Sequence, residues 1–148
     1  MDGWIGMISD ISTPLIVVGV DGSAGSQEAL RWAVAQAELS GAAVRAIRAW
    51  QLPESYSAAS RDYEADARGE LQVAIEEALG PDQRSRVTTL VVAGRPGHVL
   101  VDASHHAQLL VVGSHGHGDL VGRLLGSVSE HCVHHASCPV VVVRHSVS

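Results

Sequence analysis

At 148 residues the chain has the length of one domain and can bury a core of useful size. With 46% hydrophobic and 18% charged residues it is too apolar for disorder. All ten basic residues are arginines, which excludes lysine Schiff-base enzymes, lysine-dependent kinases and P-loop ATPases, and a formal charge of −6 leaves no basic footprint for nucleic acid or an anionic membrane.

Residues 1–12 mix Gly, Ser, Asp and isolated apolar residues without a period and read as a flexible tail ahead of Pro14. Leu15, Ile16, Val17 and Val18 form a short apolar run of the kind buried on both faces of a parallel sheet. It gives way to Gly19, Val20, Asp21 and Gly22. Ser23 or Ser26 can then cap a helix whose apolar stripe is Ala29, Trp32, Ala33, Gln36 and Ala37, closed by Gly41. A second strand runs through Val44, Ala46, Ile47 and Ala49, with Arg45 and Arg48 harder to bury. Gln51 to about Ser60 is a loop by its Pro, Ser and Tyr content.

Leu71, Ala74, Ile75, Ala78 and Leu79 recur at helical spacing until Gly80 and Pro81 stop them. Val87 to Ala93 is a third strand, Pro96 opens a helix with Val99, Leu100, Ala103 and Ala107 inward, and Leu109 to Val112 is a fourth strand. A glycine-rich loop, a helix carrying Val128, Cys132 and His135, and a fifth strand from Pro139 through Val143 complete the chain. Alternating strands and helices predict a single parallel five-stranded α/β sheet with helices on both faces.

Ligands in such sheets bind beyond the carboxyl ends of the strands, where the strand order reverses. Two ends are equipped for one: Asp21 after the first strand, and Gly113, Ser114, His115, Gly116, His117, Gly118, Asp119 after the fourth. If both serve one site, strands 1 and 4 are neighbours, which favours the order 3-2-1-4-5. The loop lacks the third glycine of a dinucleotide fingerprint, since Val121 stands there. Its glycines expose backbone N–H groups to an anion, or else simply make a tight turn. Ser127 and Glu130 have capping-box spacing, which would set a helix N-terminus at Ser127 and aim its dipole at the same anion.

The spacing Gly113-x2-Gly116-x9-Gly126-Ser127 resembles the ATP-binding signature of the universal stress protein family. Ile16 to Ser23, Ala49-Trp50 and Cys138 to Val143 are similar to other parts of that family, so the resemblance runs from about residue 14 to Arg144. It implies a Rossmann-like, adenine nucleotide alpha hydrolase-like domain over 13–148 and the sheet order 3-2-1-4-5. It also implies adenosine near Gly19, Val20, Asp21 and Ala49, and phosphates on Gly113, Gly116, Gly126, Ser127 and the Val128 N–H. ATP with Mg or another divalent cation is the implied ligand. The function it implies is a nucleotide-dependent stress-response or regulatory module.

Asp21 is read as a ligand contact over its bland role as a cap, accepting ribose hydroxyls or lying near a bound cation. His115 could touch phosphate. Arg123 either closes over the phosphates or is a solvated surface arginine. Of the nine histidines, His131 and His135 have the i, i+4 spacing of a metal pair but lack further ligands, and they read as helix-surface residues. Full protonation of the nine would turn −6 into +3. Cys132 and Cys138 match no metal or redox spacing and read as buried thiols.

No nucleophile elbow is present. With neither a lysine nor an assigned base, little hydrolysis is expected. Two other readings stay open: a slow nucleotide hydrolase using Asp21 and a metal, and a ligand-free dimeric interaction module. The apolar runs are too short for a bilayer, and Met1, Asp2, Gly3, Trp4 carry no export signal, so the expected location is the cytoplasm. The fifth strand is an edge with neither an inward charge nor an interior proline, so Val140, Val141, Val142 and Val143 are expected to pair antiparallel with a second copy in a homodimer, as the resemblance also implies. The competing arrangement folds Trp4, Ile5 and Ile8 of the tail over that edge and leaves a monomer.

Overall fold

The computed structural model describes residues 13–53, 62–117 and 124–145; the tail with Trp4, Ile5 and Ile8 lies outside them. In chain order the elements are β1 (Leu15–Gly19), α1 (Ala24–Ser40), β2 (Ala43–Trp50), α2 (Tyr63–Ala78), the single turn α3 (Pro81–Arg84), β3 (Val87–Ala93), α4 (Pro96–Ser104), β4 (Leu109–Gly113), α5 (Ser127–His135) and β5 (Val140–Val143). The five strands are all parallel in the order β3-β2-β1-β4-β5. β1 is therefore central, and its Ile16, Val17 and Val18 are buried on both faces.

Side-chain alternation divides the core between those faces. Ile16, Val18, Val44, Ala46 and Val111 pack with α1 and α2, through Ala29, Leu30, Ala33, Val34, Leu71 and Ile75. Val17, Ile47, Leu110 and Val112 pack with α4 and α5, through Val99, Leu100 and Cys132. No helix among the described residues is long and apolar enough to cross a membrane.

The local signals for α1 act as their chemistry dictates. Ser23 caps it, its side-chain oxygen accepting the Ser26 N–H, and Gly41 ends it at φ 77°, a conformation open to glycine. Ala29, Ala33 and Ala37 of the expected stripe are buried, but Leu30 and Val34 join them, while Trp32 is 36% exposed. The inward face keeps the alanines of the expected stripe, which let α1 lie close to the sheet, and turns slightly so that the bulky indole goes to the margin.

Close approach is sharpest at the start of α1. A Cβ on Gly113 would lie 2.8 Å from the carbonyl carbon and oxygen of Gly25, and a Cβ on Gly25 would lie 2.8 Å from His115 O. Backbone therefore packs on backbone between the first turn of α1 and the end of β4. Gly113→Ala is expected to cost about 1–3 kcal/mol, the usual range for overpacking, because neither backbone can move aside. Gly69→Ala is the control: with open space around it inside α2, it should stabilise by up to about 1 kcal/mol. Urea denaturation midpoints of the two variants check both signs.

Candidate functional site

The chain leaves β1 through Val20, whose N–H donates to Ile47 O at 2.9 Å, and reaches Asp21. The Asp21 carboxylate is held on both oxygens. Oδ1 accepts the Ser23 N–H at 2.9 Å and the Ser23 hydroxyl at 2.5 Å, and Oδ2 accepts the His117 N–H at 3.1 Å. Its own N–H donates to Ser26 Oγ at 3.3 Å. Burial acts to raise the Asp21 pKa, but the hydrogen bonds from Ser23, His117 and Ser26 outweigh it and hold the carboxyl below its ordinary value. At neutral pH Asp21 is an anion with lone pairs still available.

The other side of the site is built at Ser114, just past β4. The Ser114 N–H donates to Val143 O at 2.9 Å, and its carbonyl accepts the Gly126 N–H at 2.6 Å. The Ser129 hydroxyl lies 2.9 Å from the same carbonyl and 3.0 Å from Gly126 O. The glycine loop thus leaves and returns at one residue, which pins the N-terminus of α5 beside the end of β4.

This anchoring corrects the capping-box expectation. Gly126, with extended backbone at φ −74° and ψ 170°, is the N-cap without a side-chain bond, and Ser127 is the first helical residue. Tying Gly126 to Ser114 starts the helix one position before the Ser-x-x-Glu pattern would. The Gly126 N–H is consequently committed to Ser114. Donors for an anion come from the next residues: the N–H groups of Val128 and Ser129, in the first turn, have no carbonyl four residues back inside α5.

Between these two constructions lies a cleft of about 240 Å³ at the carboxyl end of the sheet. Gly19, Val20, Asp21, Ala49, Gly113, His115, Gly116 and Val128 all line it. Gly126 and Ser127 stand directly before Val128, and Arg123 lies outside the described residues, as do Gly118, Asp119 and Gly122. His115 is half-buried, with Nδ1 3.2 Å from Ser114 Oγ, while Gly116 and His117 are exposed. Gly113 borders the cleft, but its missing side chain makes room for α1. Packing by itself already requires a glycine there.

Several lining residues escape a reading of motifs. Ile47, Leu100 and Val112 supply an apolar wall, and Pro96 sets the N-terminus of α4 against it. A Cβ on Gly19 would lie 2.6 Å from Leu100 Cδ1, so a side chain there would have to displace the tip of a leucine from a helix 77 positions downstream. Arg48 also lines the cleft, while its guanidinium pairs with Glu70 of α2. Leu100 of α4 and Ile47 of β2 look like ordinary core residues, and only the packing of α4 against the sheet sets them along the cleft. The cleft as a whole offers an apolar wall, an anionic acceptor at Asp21 and the first-turn N–H groups of α5. That combination suits a ligand with a planar ring, hydroxyls and an anionic end.

The sequence profile described as the universal stress protein family matches residues 14–144. A universal stress protein of Mycobacterium tuberculosis is 38% identical over 144 residues, covering 95% of this chain and 48% of that protein. The chain spans about half the length of the curated relatives it matches. Among solved structures, a universal stress protein in complex with cAMP is 29% identical with a TM-score of 0.69, covering 90% of this chain and 98% of that one. The universal stress protein of Archaeoglobus fulgidus in complex with dAMP is 22% identical with a TM-score of 0.64 and shares the fold, over 90% of this chain and 98% of its own.

A folded-state pKa held below the ordinary value means that the unfolded chain binds the proton more tightly. Asp21 therefore contributes stability that is complete above its unfolded value of 3.8 and is lost as pH falls through the lower folded value. Asp21→Asn is expected to be less stable than the parent at neutral pH and to lose less stability on acidification below about pH 4. Urea midpoints measured along that acid limb check it.

Proposed function

The chain belongs to the universal stress protein family, and from that membership we propose that it binds ATP, with Mg or another divalent cation, and acts as a nucleotide-dependent regulatory module. One observation carries the reading: an ionised Asp21 and the first turn of α5 face one cleft lined by an apolar wall. In this reading the base lies along Ile47, Ala49 and Leu100, where the absence of bulk at Ala49 leaves space. Asp21 accepts from the ribose hydroxyls, and the phosphates meet Gly116 and the N–H groups of Val128 and Ser129, where the positive end of the α5 dipole favours them. The cAMP complex of a structural relative supports the adenine-nucleotide class.

Denaturing the purified protein and identifying released nucleotide by mass spectrometry is the first test; calorimetric titration with ATP, ADP and cAMP then ranks the ligands. Asp21→Ala should weaken ATP binding about tenfold, the loss of one or two hydrogen bonds to a charged acceptor. Bulky replacements of Gly116 and Gly126 should abolish it without unfolding the chain. Equal ATP affinity in all three variants would move the site elsewhere. Turnover is expected to stay below about one per second, because the chain has no lysine to stabilise a transferring phosphoryl group and no base is assigned.

The module is also proposed to work as a homodimer through β5. That strand is an edge of the observed sheet, and Val140, Val141, Val142 and Val143 are each only half-buried. Leu110 N–H donates to Pro139 O and Ser114 N–H to Val143 O, so the odd-numbered residues of β5 face β4 and the backbone groups of Val140 and Val142 face outward. Val142→Pro should therefore convert a dimer to a folded monomer, whereas Val141→Pro should disrupt the β4–β5 pairing itself. Sedimentation of the parent protein as a monomer at micromolar concentration would overturn the dimer outright.

A further inference from the structure

The histidines of α5 are not the scattered surface residues their spacing suggests. His131 is half-buried between two other rings, with its centroid 4.7 Å from His98 on α4 and 4.6 Å from His135 one turn along α5; the His134 ring lies 6.2 Å from His135. The His131 side chain is also packed onto the backbone of Gly97, where an added Cβ would lie 2.8 Å from its ring. The contact between α4 and α5 is thus made in part by three imidazoles in a row. Both helices wall the cleft at their N-termini, α4 through Pro96 and α5 through Val128 and Ser129. Nothing in the nucleotide reading uses this stack.

We propose that the His98–His131–His135 stack is an acid-sensitive joint between α4 and α5, closed while the rings are neutral and loosened by proton uptake. Neutral imidazoles stack at low cost, whereas imidazolium ions at this separation repel. From α4, Asp102 lies a turn beyond His98 and Arg95 is the N-cap; from α5, Glu130 adjoins His131 in the chain, while His134 adds a further proton acceptor. β5, packed on α5, contributes valines, and Cys132 and Cys138 are free thiols whose pKa values burial pushes up, Cys132 to about 11, so both stay neutral. Consistent with the geometry, partial burial and then the fields of His135, His98 and His134 push the His131 pKa below its ordinary value.

The sign follows directly. A histidine with a folded pKa below the unfolded 6.5 contributes its full stability above 6.5, and that stability falls as pH drops toward the folded value. The test uses the ligand-free protein, so it stands apart from the nucleotide reading. Ring-proton NMR titration should give His131 a midpoint below 6.5, and His98→Gln or His135→Gln should raise it. Amide exchange, corrected for intrinsic rates, should show Leu100 and Cys132 losing protection several-fold between pH 7.5 and pH 5.5 in the parent, and distinctly less in either variant. His135 is exposed, so its variant preserves the test should changes nearer the core prevent folding. A His131 midpoint at or above 6.5 would overturn the joint, and so would equal losses of protection in parent and variants.

Discussion

The geometry of this protein turns on a contact between two stretches of bare backbone. Gly25 in the first turn of α1 and Gly113 at the end of β4 lie so close that a methyl group on either would strike the other segment. Because β1 and β4 are neighbours, this contact lets α1 start directly over the junction between them. The turn from β1 into α1 then has nowhere to run except along the strand ends. Asp21 is consequently brought within hydrogen-bonding distance of the His117 N–H, across 96 positions of sequence. The two halves of the cleft are joined by packing before any ligand is present.

Electrostatics follows from that placement. A carboxylate as enclosed as Asp21 should resist ionisation, and it is ionised because Ser23, Ser26 and the glycine loop direct hydrogen bonds at it. At the opposite end, the carbonyl of Ser114 gathers Gly126 and Ser129 and fixes the start of α5. One end of the cleft therefore accepts and the other donates. A ligand with hydroxyls and phosphates reads that polarity in a single orientation, and the apolar wall between the ends leaves its ring little else to touch.

Helices α4 and α5 are the least conventional part of this frame. They share a buried apolar contact through Val99, Leu100 and Cys132, yet their outer seam is made of imidazoles and a glycine. An aliphatic seam would hold at any pH. A histidine seam ties the walls of the cleft to proton concentration, in a chain whose formal charge changes sign when its histidines charge.

What the sequence by itself determined is what local chemistry determines. Apolar runs of four or five residues specify buried parallel strands, Ser23 and Gly41 bound a helix with their own side-chain and backbone preferences, and Pro96 opens another because its missing N–H costs nothing there. The strand order and the meeting of Asp21 with the glycine loop were also legible, because a parallel sheet has one crevice and only two strand ends carried polar or glycine-rich chemistry. The alanines on the inward face of α1 were legible too, but tertiary structure alone put Leu30 and Val34 inside and Trp32 at the margin, because they differ in what they meet and not in any local preference. It moved the cap of α5 from Ser127 to Gly126, because a carbonyl in another element claims that N–H. It also packed Gly113 onto the backbone of Gly25, and set His98 beside His131. In each case the deciding partner lies far along the chain, and a pattern of neighbours cannot record a contact whose other half is folded in from elsewhere.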